Sequence, residues 1–181
     1  MKAPEKIETA RLVLERPVES DLEGIFSRYA SDPNVTRFVS WPRHTSLDHT
    51  RAFFAFSEAE WNRWPAGPYV IRSRDSETLL GGTGLAFETP PQASTGYVLA
   101  VDAWGKGFAT ESLEAITRIA RIVGVLRLQA LCHTAHRASC RVLEKTGFLK
   151  VGTLNRHTIF PNLGAGERCD VFQYARELSD E

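Results

Sequence analysis

The sequence predicts a mixed α/β (α+β) single domain, with a mostly antiparallel sheet in the middle and helices inserted early and late. Three observations carry that expectation. A chain of 181 residues suits one domain and is short for two. Three extended segments between residues 69 and 101 follow one another across short turns, as in an antiparallel meander. A long helical pattern comes next, and helices then alternate with strands to the C-terminus. The domain is read over residues 1–181, with a core from about 9 to 176 and short flexible termini.

The elements follow in order. Residues 10–18 read as a strand with Leu12 and Leu14 on one face. Ser20 and Glu23 have capping-box spacing for a helix to about Tyr29, which Asp32-Pro33-Asn34 breaks. Thr45 to Asp48 opens a second helix that reaches Trp61 or beyond. Tyr69–Arg72, Thr78–Glu88 and Thr95–Val101 are the meander strands, with turns at residues 73–76 and at Pro90-Pro91. Leu113, Ile116, Ala120 and Val123 recur at helical spacing, and Gly124 suits the position that ends that helix. Leu126–Cys132 is a buried strand, His136–Thr146 a short helix ended by Gly147, and Phe148–Ile159 with Cys169–Ala175 a final strand pair.

Composition excludes several function classes. Hydrophobic residues are 43% and charged residues 24%, so the chain is not disordered throughout. Lys+Arg and Asp+Glu are 22 each, which leaves no surplus charge for a phosphate backbone and argues against nucleic acid as the partner. No run approaches the ~18 apolar residues of a membrane span. Residues Met1 to Lys6 have no apolar stretch behind them, so no signal peptide is expected. Three cysteines, Cys132, Cys140 and Cys169, are an odd set, and a reduced, cytoplasmic protein is the expectation.

The segment between the third meander strand and the long helix carries the chemistry. Gly105, Gly107 and Ala109 put small residues where the chain must turn from strand to helix. The free amides of a helix start, the positive end of its dipole and the Lys106 charge would form an anion site matched to a pyrophosphate; the alternative on this segment alone is a glycine-rich turn needed only for packing. Gly81-Gly82-Thr83-Gly84 lacks the lysine of a Walker loop. The glycine loop lies too late in the chain for a dinucleotide fingerprint, and Thr110 stands where that pattern wants glycine.

The run Gly96-Tyr97-Val98-Leu99, then Trp104 to Leu113, resembles the acetyl-CoA loop of the GNAT N-acetyltransferases, closest to the branch that acetylates ribosomal-protein N-termini. Thr9 to Leu14, with Asp21 downstream, is similar to the opening strand of that branch. His136 to Phe148 is similar to its late helix, which usually begins Asn-x-x-Ser and ends Lys-x-Gly-Phe. The resemblance spans about Thr9 to Ala175. It implies a twisted sheet of about six or seven strands with about four helices, acetyl-CoA as co-substrate and no metal. It also implies that backbone groups of Leu99, Ala100 and Val101 pair with the pantetheine arm. Amides of Trp104, Gly105, Lys106, Gly107, Phe108 and Ala109 would hold the pyrophosphate, with Thr110 adding its hydroxyl. Ser139 would lie near the thioester sulfur, with His136 beside it at the cofactor, and Lys145 would lie near the nucleotide or be a solvated surface lysine. Three departures stand out: Trp104 replaces Gln or Arg, His136 replaces Asn, and Ser94-Thr95 replace the acidic residue that often precedes Gly-Tyr.

Direct acyl transfer needs a neutral amine and a proton for the departing thiolate. An α-amine, pKa near ~8, asks little of a base, whereas a lysine near ~10.4 asks more. The catalytic candidates are Ser139 as proton donor and Glu88, at the end of the second meander strand, as base through water. The expected activity is acetyl transfer to a protein or peptide N-terminal amine. A small-molecule amine (polyamine, amino acid analogue or antibiotic) is the alternative acceptor; a CoA-binding sensor and an interaction protein are rivals of other classes. Cys132, His133, His136 and Cys140 lack paired metal-ligand spacing, and Cys140 has no marked base, so the cysteines are read as buried packing. The aromatics Trp41, Phe53, Phe54, Phe56, Trp61 and Trp64 are read mostly as core, some as an acceptor wall. The tip Asn162–Gly166 borders the acceptor, joins a homodimer contact or is an ordinary hairpin.

Overall fold

The computed structural model describes residues 1–164 and 166–178. At the N-terminus the strand expected over residues 10–18 is shorter than expected, and a second short strand, absent from the expectation, precedes it. Lys6–Glu8 (β1) pairs antiparallel with Leu12–Glu15 (β2), Ile7 opposite Leu14. The turn between them closes where Thr9 N–H donates to Leu12 O at 2.9 Å. Leu12 and Leu14 are fully buried, as the alternation requires.

The first helix starts earlier than expected. A 3₁₀ turn, Glu19–Asp21, runs into α1 (Leu22–Ile25), and a π turn, Phe26–Ala30, extends it. The capping carboxylate is Asp21 rather than Glu23: its Oδ2 accepts from Val18 N–H at 2.9 Å while Oδ1 pairs with Arg72. The partner across the sheet decides which carboxylate is used. Helix α2 runs Leu47–Arg63 and ends where Trp64 N–H reaches back to Glu60 O.

The meander strands are β3 (Pro68–Ser73), β4 (Leu79–Phe87) and β5 (Gln92–Leu99). The third begins at Gln92, earlier than expected, because Gln92 N–H closes a tight turn onto Thr89 O at 3.0 Å. Then come α3 (Phe108–Ile122), β6 (Arg127–His133), α4 (Arg137–Lys145), β7 (Leu149–Ile159) and β8 (Arg168–Glu177). The result is a mixed α/β fold with an eight-stranded sheet ordered β1-β2-β3-β4-β5-β6-β8-β7, one strand more than the upper expectation.

One join in this sheet is parallel, and it creates the site. Strands β5 and β6 pair only from Gln92↔Arg127 to Ser94↔Gln129. Beyond that β6 stays with β8 as far as His133↔Val171, while β5 stays with β4 as far as Leu99↔Gly81. The two strands therefore part toward their C-terminal ends and leave a V-shaped opening. Helix α3 packs across β2, β4 and β5 with α4 beside it; α1 packs on β4 and α2. Leu113, Ile116 and Ala120 of α3 are fully buried in the main core with Leu12, Ile71 and Leu128. Truncating such a leucine to alanine costs about 2–5 kcal/mol, so this packing fixes where α3 begins. No helix among the described residues is long and apolar enough to cross a membrane.

Candidate active site

The strand-to-helix turn has the backbone that its small residues permit. Gly105 and Gly107 adopt φ of 72° and 79°, in the left-handed region that other residues rarely occupy. Glu111 N–H is the first to bond back, to Gly107 O at 3.1 Å. Among the described residues the amides from Gly105 to Thr110 carry no hydrogen bond, so successive donors stand free at the positive end of a 15-residue helix. Lys106 is exposed beside them, and Phe108, Ala109 and Thr110 are half-buried. This arrangement fits a diphosphate.

A bracket that sequence reasoning missed holds the loop. Glu111 Oε1 accepts from Thr9 Oγ1 at 2.7 Å and from Arg11 N–H at 2.8 Å, while Oε2 pairs with Arg11 Nε at 2.7 Å. Arg11 Nη1 donates to Lys106 O at 2.8 Å, and its guanidinium lies over the Phe108 ring at 4.8 Å. Burial pushes the Glu111 carboxyl up, but the bonds from Thr9 and Arg11 and the Arg11 charge outweigh it and hold the group below its ordinary value. The Arg-Leu-x-Leu pattern near the N-terminus was visible; that its arginine reaches the glycine loop was not.

The edge of β5 facing the opening presents a different set of groups from the expected one. Ala100 N–H donates to Leu80 O at 2.8 Å, and its carbonyl accepts from Ala103 N–H at 2.9 Å. Val101 O accepts from Trp104 N–H, and Leu99 O from Trp104 Nε1 at 2.8 Å. Ala100 is therefore spent within the chain, the Leu99 and Val101 carbonyls are taken by Trp104, and the Trp104 amide is not among the free donors expected for the pyrophosphate. Alternation along an antiparallel strand turns Tyr97 and Leu99 toward β6, so an added strand would meet those two residues. Trp104 braces the strand end with its indole and is half exposed.

Ser139 stands in the first turn of α4, above the opening. Its hydroxyl accepts from Tyr97 Oη at 3.0 Å. His136, the residue before α4, makes no side-chain cap. Its ring stacks on Phe38 at 4.8 Å, and burial, then the neighbouring His133, holds its pKa below the ordinary imidazole value. Glu88 is not brought to this group. It is exposed past the last residue of β4, whereas Tyr97 lies opposite Thr83. Five residues of strand separate Thr83 from Glu88, roughly 16 Å at the usual rise. Lys145, at the far end of α4 from Ser139, lines a shallow groove with Arg118, Arg121 and Arg176.

The C-terminal end of β6 is walled by rings. His133 packs against Phe38 and against Phe160 at 4.9 Å each. Asn162 ties the hairpin after β7 to the segment before α2: its Nδ2 donates to Thr36 O at 2.7 Å and Trp41 O at 3.0 Å, and its Oδ1 accepts from Arg43 N–H at 2.8 Å. Ala165 of that tip lies outside the described residues. The aromatics singled out in the sequence lie mainly in the core. Trp61 is buried edge-on to Tyr69, Trp64 stacks on Phe87, and Trp41, Phe53 and Phe54 cover Ile25, Tyr29 and Val70. Phe56 is exposed. Cys132 and Cys140 are buried with sulfurs 3.5 Å apart, and burial pushes the Cys132 thiol up to about 12. Among the described residues no group of three or more His, Cys, Asp or Glu side chains converges as for a metal.

The family model that describes the acetyltransferase (GNAT) domain matches residues 11–149, most of the chain. The chain belongs to the GNAT acetyltransferase family. This GNAT N-acetyltransferase is 28% identical over 154 residues to YoaA, an uncharacterized N-acetyltransferase of Bacillus subtilis, covering 83% of this chain and 86% of that one. Its fold superimposes on RimL, a ribosomal L7/L12 α-N-protein acetyltransferase solved in complex with coenzyme A. The TM-score is 0.85 at 23% identity, over 98% of this chain and 100% of that one. A ribosomal-protein-S5-alanine acetyltransferase of Vibrio fischeri superimposes with a TM-score of 0.80 at 17% identity, over 97% of each chain.

Proposed function

We propose that this GNAT acetyltransferase moves the acetyl group of acetyl-CoA directly onto the free α-amine of a protein or peptide. The observation that carries the reading is the convergence at one opening of free loop amides, a strand edge that β6 leaves open beyond Ser94, and the Ser139 hydroxyl. The free amides from Gly105 to Thr110 hold the diphosphate, and the edge at Tyr97 together with the Leu99 N–H takes the pantetheine amides. The solved N-terminal acetyltransferases with the same fold support the choice of acceptor.

The chemistry then balances with few groups. The amine nitrogen bonds to the acetyl carbon, the C–S bond breaks and its electron pair goes to sulfur. One proton leaves the nitrogen for solvent. Another passes from Ser139 to the sulfur and is replaced from solvent. An α-amine near pKa ~8 is partly neutral at pH 7, so the remote position of Glu88 is tolerable for this acceptor in a way it is not for a lysine.

The test is an acceptor panel that follows free CoA thiol. Peptides with free N-termini should turn over, and the same peptides blocked at the N-terminus should not. Turnover confined to polyamines or amino acids would move the acceptor class. A flat panel with clear acetyl-CoA binding would make the chain a sensor. Ser139→Ala should slow turnover about a hundred-fold while leaving acetyl-CoA affinity nearly intact; equal losses in both would make Ser139 structural.

A further inference from the structure

We infer that Tyr97 is a positioning residue that occupies one lone pair of Ser139 and so leaves the serine proton free for the departing sulfur. The inference rests on the proton-donor role proposed for Ser139.

Tyr97 Oη and Ser139 Oγ lie 3.0 Å apart across the opening, one on β5 and the other on α4. A phenol is more acidic than an aliphatic hydroxyl, so it is the donor of the pair. Burial disfavours the tyrosinate and pushes the Tyr97 pKa up to about 12, against a smaller lowering by Ser139 itself. The phenol thus keeps its proton throughout the working pH range. A serine hydroxyl has one proton and two acceptor sites. With one acceptor site filled by Tyr97, its own O–H must point elsewhere. The nearby Cys132 is a thiol, a weak acceptor, and its pKa near 12 keeps it uncharged. A CoA thiolate would be the stronger acceptor by its charge. Accepting from the phenol also polarises the serine O–H and makes it a better donor.

Tyr97 is legible in the sequence only as half of a Gly-Tyr pair. The structure gives its hydroxyl a direction, and it separates this role from simple packing: the ring, partly buried, packs against the main core, while the hydroxyl meets Ser139.

The experiment titrates the thiol of enzyme-bound CoA by the ultraviolet absorbance of its thiolate, which requires no acceptor. Wild type, Tyr97→Phe, Ser139→Ala and the double variant are compared, with thermal melts to show that each is folded. Ser139→Ala should raise the bound thiol's pKa by about one unit, the scale of a lost hydrogen bond to a charged group. Tyr97→Phe should raise it by at least half as much, and the double variant no further than Ser139→Ala. The CoA dissociation constant at neutral pH should stay within about twofold. A fluorinated tyrosine at 97, same shape and stronger donor, should shift the pKa downward; it keeps the test open if the phenylalanine variant does not fold. Tyr97→Phe titrating like wild type, or adding fully to Ser139→Ala, overturns the inference. A shift with Ser139→Ala alone removes Tyr97 but keeps the serine as donor. No shift with Ser139→Ala removes the donor role and this inference with it.

Discussion

Arg11 and Glu111, 100 residues apart in the chain, meet through two hydrogen bonds to the two oxygens of one carboxylate, at 2.8 and 2.7 Å. The same arginine holds the Lys106 carbonyl, so a link between β2 and α3 becomes a support for the anion loop. Arg11→Ala should weaken acetyl-CoA binding several-fold. It should cost only about 1 kcal/mol of stability, because the Arg11 side chain is 49% exposed and well screened. Calorimetric titration with acetyl-CoA beside thermal unfolding separates the two. A loss of stability with intact affinity would show that the bracket braces the sheet and does nothing for the loop.

Gly107→Glu should be the most damaging single change in the loop. Its φ of 79° strains any side chain, and an added Cβ would lie 3.3 Å from Arg11 Nη2. A glutamate adds an anion where the free amides await a phosphate, and it offers Arg11 a rival to Glu111. Acetyl-CoA affinity should fall at least ten-fold, a loss of about 1.4 kcal/mol. Gly107→Ala, which adds the strain without the charge, should fall between this variant and wild type. Wild-type affinity in Gly107→Glu would remove the loop from the site.

What the sequence made legible was local. Leu113, Ile116 and Ala120 repeat at helical spacing and all three are fully buried, and Gly105 and Gly107 occupy the left-handed turn their type permits. The meander was legible because its extended segments follow one another across short turns. The unread features are contacts between distant segments. Asp21 replaces Glu23 as the cap because Arg72 lies across the sheet, 51 residues on. Tyr97 meets Ser139 over 42 residues, and Asn162 meets Thr36 over 126. Strand β1, three residues long, exists only through its pairing with β2. Glu88 shows the converse: a strand-end carboxylate has the same local pattern at either end of the opening, and only the register of β4 against β5 tells which end it occupies.

Asn162→Ala should affect the acceptor more than the cofactor. The amide satisfies the Thr36 and Trp41 carbonyls and the Arg43 N–H, and so joins the hairpin after β7 to the segment before α2. Losing it leaves the Trp41 carbonyl and the Arg43 N–H to find water, and Thr36 O with only the 3.3 Å bond from Val39 N–H. It should cost about 1–3 kcal/mol in melting experiments. The KM for a peptide acceptor should rise, while the dissociation constant for acetyl-CoA stays within about twofold. A rise in both would place the clasp over the cofactor instead.

Stability should fall on the acid side of neutrality because of His133 and His136. Burial is the larger cause of depression for each; Arg37 adds to it at His133 against an opposing Asp170, and His133 adds to it at His136. Their pKa values in the fold lie below the 6.5 of the unfolded chain, so the unfolded state binds protons first as pH falls. The contribution is therefore complete above about pH 6.5 and is lost as pH drops from there through the folded values. The rings of Phe38 and Phe160 supply no counter-charge. Melting temperatures measured from about pH 7.5 to pH 5 should decline, and a variant with asparagine at both positions should decline less. An unchanged slope in that variant would assign the acid loss to other groups and would leave the ring wall at the end of β6 electrostatically silent.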